Sequence, residues 1–130
     1  MSRLIAIGIG CRAGAKGEAI AALARRALCE LAAPEGERRL FTLAAKAAEP
    51  GLMEAARRLG APLTALPLAA LKAEEARVLT RSPAAKRRFG TTSVAEAAAL
   101  AGAGPGGRLL GPRLAADGAT CAVAIAAQSA

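Results

Sequence analysis

The amino-acid sequence predicts an α/β protein: one domain over residues 1–130, a three-layer α/β/α sandwich with a mixed, mostly parallel sheet. Three observations predict it. The chain has 130 residues, the length of one domain. An Ile-rich apolar run near the start ends in glycines, the pattern of a strand buried on both faces. After it, strand-like and helix-like segments alternate, which sets helices on both sides of a sheet.

Residues 3–9 form the first predicted strand, and residues 8–17 a glycine-rich loop. Residues 18–31 form a helix, because Ile20, Leu23, Ala24, Ala27, Leu28 and Leu31 recur at helical spacing. Pro34 and Gly36 end it. Residues 39–43 make a second strand. Glu49-Pro50-Gly51 opens a second helix, since Pro suits a first helical turn, and Gly60 closes it. Residues 62–66 form a third strand and residues 68–79 a weak helix. Residues 81–89 are basic and Pro-broken, a loop with one helical turn. Residues 93–101 form a helix, and 102–107 a Gly/Pro turn. Residues 108–127 read as two strands around Asp117-Gly118, a hairpin dipeptide.

Composition narrows the chemistry. Hydrophobic residues make up 54% of the chain, and alanine supplies much of that share. Ala, Leu, Ile and Val must therefore build the core, with Phe41 and Phe89 the only aromatics. The formal charge is +8, which favours anionic partners: nucleic acid, acidic lipid or polycarboxylate metabolites. With no Tyr or Trp, and with basic residues spread along the chain, base-stacking recognition of nucleic acid is disfavoured. The chain has no His, which excludes His-based triads and His metal ligands. Cys11, Cys29 and Cys121 are odd in number and far apart, so neither a disulfide framework nor a metal site is expected. Cys29 and Cys121 lie in apolar patterns and are expected to be buried. A reducing cytoplasm, no signal peptide, no membrane span and no cofactor complete the expectation.

Four constellations carry candidate chemistry. Gly8, Gly10, Cys11, Arg12 and Gly14 lie between the first strand and the first helix, where glycines let backbone N–H groups face an anion and Arg12 offers a planar fork. The spacing GxGxxxG departs from the dinucleotide fingerprint GxGxxG. Cys11 is a space-filling residue or a nucleophile near a helix start, and no partner base is visible. Lys46 falls where the sheet's ligand edge belongs and can meet an anion or act as acid/base; Glu49 beside it caps the next helix or joins the site. Thr91, Thr92 and Ser93 precede a helix; Ser93 and Glu96 form a capping box, and the loop can also hold an anion. Arg81, Lys86, Arg87 and Arg88 form a solvated face or the rim of an acidic-ligand cleft.

Four segments in order, GIGCRAG, AAKAAEPGLMEAARRLGAPL, SPAAKRRFGTTSVAEAAAL and LLGPRLAADGATCAVAIA, resemble the CobE/CbiG C-terminal-domain family across almost the whole chain. The resemblance implies an α/β/α sandwich and a place in cobalamin (vitamin B12) biosynthesis. In CbiG such a domain accompanies others in a cobalt-precorrin-5A hydrolase, which opens a ring lactone and releases acetaldehyde. The standalone members belong to the aerobic route. Family positions carry over to Gly8, Gly10, Cys11, Arg12, Gly14, Lys46, Glu49, Gly51, Gly90, Ser93, Glu96 and the last strand. Ala13 stands where a second basic residue is common, and Arg113, a further binding candidate, where a lysine is common.

The function this implies is binding of a carboxylate-rich precorrin or corrin intermediate, with other enzymes of that pathway as further partners. The alternatives are a hydrolase acting on a precorrin lactone or side chain, with Lys46, Glu49 and Cys11 as its candidate catalytic residues, and a nucleotide or nucleic-acid binding module.

Overall fold

The computed structural model describes residues 3–128. Strand β1 (Leu4–Cys11) runs through the centre, and alternation along it sends Ile5, Ile7 and Ile9 to one face and Ala6, Gly8 and Gly10 to the other. Helices α1 (Gly17–Glu30) and α2 (Pro50–Leu59) cover the isoleucine face. Each fully buried isoleucine contributes about 1.5–3 kcal/mol to folding. Helices α3 (Leu68–Lys72) and α5 (Val94–Ala103) cover the opposite face. The three predicted layers are therefore present.

The sheet order is β3 (Leu63–Leu66), β2 (Glu37–Leu43), β1, β6 (Ala119–Ile125), β4 (Arg108–Leu109), with β5 (Leu114–Ala116) also paired to β6. The β1–β2 and β2–β3 ladders are parallel, and all three ladders of β6 are antiparallel. The sheet is thus mixed, as expected, but its parallel part is only the β3-β2-β1 half. The C-terminal hairpin returns antiparallel because only two residues join β5 to β6. Asp117 (φ 51°) and Gly118 (φ 80°) both take positive φ there, a type I′ turn.

The glycine loop begins later than expected. Gly8, Gly10 and Cys11 belong to β1, and the loop starts at Arg12. Gly8 is glycine for packing, not for phosphate: a Cβ there would collide with the Ala95 carbonyl oxygen and lie 2.6 Å from the Ala99 nitrogen of α5. Alanines on α5 complete this close helix–sheet contact, and the whole helix except Ala101 and Gly102 is buried.

The weak helical segment splits into α3 and a 3₁₀ turn (Glu75–Arg77), while the basic segment holds a real helix, α4 (Pro83–Phe89). Ser82 Oγ accepts from the Ala85 N–H at its start, and Gly90 ends it in the left-handed conformation. Cys29 is exposed, contrary to expectation: α1 turns positions 20, 21, 23, 24, 27 and 28 inward, and position 29 falls outside that stripe. Cys121 is fully buried, and burial pushes its thiol up to about 12.

Candidate functional site: a basic cleft at the sheet edge

Strands β1 and β2 end side by side, at Cys11 and at Leu43, with β6 starting on the other flank of β1. Such carboxyl ends of parallel strands are where open α/β sheets bind ligands. A cleft of about 500 Å³ opens there. Gly10, Cys11 and Arg12 form its base, and Lys46 enters from the 3₁₀ turn Ala44–Lys46 that follows β2. Helix α4 supplies Ala84, Ala85, Arg88 and Phe89 as one wall, beside Val94 of α5. The opposite wall is the β5–β6 hairpin with Arg113, Ala115 and Ala116, the Asp117-Gly118 turn, Ala119 and Thr120.

The lining combines apolar walls of Ala, Val and Phe with four cations, Arg12, Lys46, Arg88 and Arg113, against one carboxylate, Asp117. Among the described residues none of these four cations forms a salt bridge. The Arg12 N–H donates to the Gly118 carbonyl at 2.9 Å, and its side-chain stem lies over Gly118, where a Cβ would sit 3.0 Å from it. The hairpin turn thereby sets the direction of Arg12. Both Lys46 Nζ, at 5.5 Å, and Arg88 Cζ, at 5.4 Å, face the Phe89 ring.

Of the sequence candidates, the fold brings together Gly10, Cys11, Arg12, Lys46 and Arg113. Gly8 lies under α5, as described. The Gly14 N–H donates to Glu49 Oε2 at 3.2 Å. Glu49 therefore tethers the Arg12 loop and makes no side-chain cap on α2. Thr91, Thr92 and Ser93 precede Val94 but are not part of the cleft lining. The Thr91 hydroxyl, the Thr92 hydroxyl and the Thr92 N–H all donate to the Glu75 carboxylate. Burial pushes the Glu75 carboxyl up, but these hydrogen bonds, with the Lys86 charge, outweigh it and hold the group below its usual value. Ser93 Oγ accepts the Glu96 N–H at 3.3 Å, half of the capping box.

The other half is absent, because Glu96 has a different task. Fully buried, its Oε1 accepts the Leu79 and Thr80 N–H groups, each at 2.8 Å. Its Oε2 accepts the Thr80 hydroxyl at 2.8 Å and the Arg113 N–H at 2.9 Å. One carboxylate thus fixes the backbone of a cleft arginine. Its spacing from Ser93 is that of an ordinary cap, so nothing local separates the two roles.

Comparison with known proteins identifies the family. The family model described as "Cobalamin synthesis G C-terminus" matches residues 5–124. The chain belongs to this family. It is 35% identical over 121 residues to "Protein CobE" of Sinorhizobium sp, covering 92% of this chain and 79% of that one. A crystal structure of CobE, described as a protein from the cobalamin (vitamin B12) biosynthetic pathway, superposes with a TM-score of 0.88 at 38% identity over 100% of this chain and 95% of the other. The cobalamin biosynthesis protein chiG of Agrobacterium tumefaciens str. C58 gives a TM-score of 0.72 at 40% identity, over 95% and 99%. This is therefore a cobalamin-biosynthesis protein of the CobE/CbiG type, in agreement with the ordered sequence segments.

Within this family frame the two departures have structural meaning. Ala13 is exposed on the loop outside the cleft lining, so its missing charge leaves the cleft's cations unchanged. Arg113 lies in the lining and brings a planar donor fork in place of an amine. Cys11 lies at the cleft base with its thiol raised, first by burial and further by Glu49, against a lowering by Lys46. A raised thiol is a poor nucleophile at neutral pH. Among the described residues no helix is long and apolar enough to cross a membrane, and no three metal-ligating side chains converge.

Proposed function

We propose that the cleft binds a carboxylate-rich precorrin or corrin intermediate of the aerobic cobalamin route and passes it between other enzymes of that pathway. The observation that carries this reading is the set of four cations, without salt-bridge partners among the described residues, around an apolar lining. A corrin precursor is a largely apolar macrocycle edged with acetate and propionate arms, which matches both halves of that lining. Each well-made charge-assisted bond contributes about 1.5–3 kcal/mol. The three unpaired cysteines agree with a cytoplasmic setting.

Hydrolysis of a precorrin lactone has less support. The thiol of Cys11 is raised, Lys46 rests on the Phe89 ring, and Glu49 is engaged by the Gly14 N–H. Nucleic-acid binding lacks a stacking platform, since one aromatic ring lines the cleft.

The test is an absorbance titration of the purified protein with a fully carboxylated corrin and an amidated analogue. The carboxylated form binds more tightly, and its affinity falls as salt rises. Arg12→Ala weakens it about 10-fold, the loss of one charge-assisted contact, while Arg12→Lys restores only part. Equal affinity for both forms removes the proposal.

A further inference from the structure

We infer that Phe89 is the specificity-determining residue of this cleft, a ring that holds Lys46 and Arg88 as a paired reader of a carboxylate arm. The inference rests on the ligand class proposed above and names the residue that discriminates within it.

The chain has two aromatic side chains, and only Phe41 is fully in the core. Phe41 is buried on β2, its ring filling the space beside Gly102 of α5. Phe89 ends α4, a helix with no buried residue, and its ring stands in the cleft wall. Phe89 is partly buried: it packs against the core layer under α3 and α5 and also lines the cleft. Its distinguishing contact is with two cations, which both lie over its ring.

Lys46 comes from the turn after β2 and Arg88 from α4, so no shared element forces them together. Each approaches the same ring centroid, at 5.5 Å and 5.4 Å. Neither makes a salt bridge to a described carboxylate. The ring's negative face attracts each cation without neutralising it. Two like charges are thereby gathered at the cleft wall, at most about 11 Å apart, an arrangement that an entering carboxylate relieves. A neutral amide gives no such relief. The acidic group in the lining, Asp117, belongs to the hairpin turn across the cleft.

Three proteins test this: the parent, Phe89→Leu, which keeps apolar bulk but has no ring, and Phe89→Tyr, which keeps the ring. Each is titrated with the carboxylated corrin and its amidated analogue. Phe89→Leu should cut the preference for the carboxylated over the amidated corrin about 5- to 10-fold, and Phe89→Tyr should retain the parent's preference. NMR supplies a readout that needs no ligand: the Lys46 ε-methylene protons are shifted upfield by the ring in the parent and lose that shift in Phe89→Leu. An unchanged carboxylate preference in Phe89→Leu, or a Lys46 resonance unmoved by it, overturns the role of Phe89 while leaving the ligand class standing. Failure of the parent to bind either corrin overturns both.

Discussion

Replacing Glu96 by glutamine tests how the cleft wall is held. The side chains match in size, so only hydrogen-bonding sense changes. With its carbonyl at the Oε1 position, the new amide keeps the Leu79 and Thr80 N–H bonds, each 2.8 Å in the parent. Its NH₂ then occupies the Oε2 position, against the Thr80 hydroxyl and the Arg113 N–H. Thr80 can rotate its proton and accept, but the Arg113 N–H cannot reverse, and donor meets donor. The opposite amide orientation is worse, because it faces two backbone N–H groups. One buried donor left unsatisfied costs about 1–3 kcal/mol, a sizeable part of the roughly 5–15 kcal/mol that holds a domain together. Glu96→Ala strands three backbone donors and should cost about 3 kcal/mol or more. Urea unfolding measures both, and amide hydrogen exchange localises the damage. In Glu96→Gln the Arg113 amide should exchange about 10-fold faster or more, the rate equivalent of about 1.4 kcal/mol, while β1 amides change only with global stability. A Glu96→Gln protein of parental stability with an unchanged Arg113 amide would refute the argument.

In the native protein, Cys29 should react rapidly with a thiol reagent and Cys121 very slowly, since one is exposed and the other's thiol is pushed up to about 12; mass spectrometry of the labelled sites decides it, and fast labelling of Cys121 refutes its burial. Gly8→Ala should cost about 3 kcal/mol in urea unfolding because its Cβ meets α5 backbone. Gly14→Ala, at φ 79° with open space around it, should cost only about 1–2 kcal/mol through backbone strain, so a reversed order defeats the close-packing account. The Glu75 carboxyl is held below its ordinary value of 4.5 in the folded protein, so its contribution is present above that value and is lost as pH falls through the lower folded value. The Thr92 amide should therefore lose exchange protection in acid more steeply in the parent than in Glu75→Gln, and parallel profiles would show that the clamp does not titrate.

The layered fold was legible because its signals are periodic. The Ile5, Ile7 and Ile9 alternation, the α1 stripe and the Asp117-Gly118 turn each announce themselves within a few residues. Arg12 and Lys46 were legible as well, since both follow strands that end at the same edge. What stayed hidden depends on contacts between distant segments. Thr91 and Thr92 look like an anion loop, and only the tertiary structure shows Glu75 already in place as the anion. Glu96 looks like a cap, yet it reaches Thr80 and Arg113. Phe89 sits in a run of charge whose direction no period reveals, and Cys29 misses the buried stripe of α1 by one position.

The antiparallel pairing of β1 with β6 has a practical consequence for anyone handling this protein. Cys11 pairs with Ala119 at the cleft end, and at the other end Ile5 pairs with Ile125 while the Ala126 N–H reaches the Leu4 carbonyl at 3.0 Å. A strand the length of β1 spans about 23 Å, and that distance separates both ends of the described chain from the ligand edge. A chain leaving β1 at Leu4 or β6 at Ile125 therefore departs from the edge opposite the cleft, which suits that edge to an affinity tag, a fluorophore or a tether to a sensor surface. Joining the two ends by a short linker and reopening the chain at another surface loop would give a circular permutant in which the same edge stays open to solution.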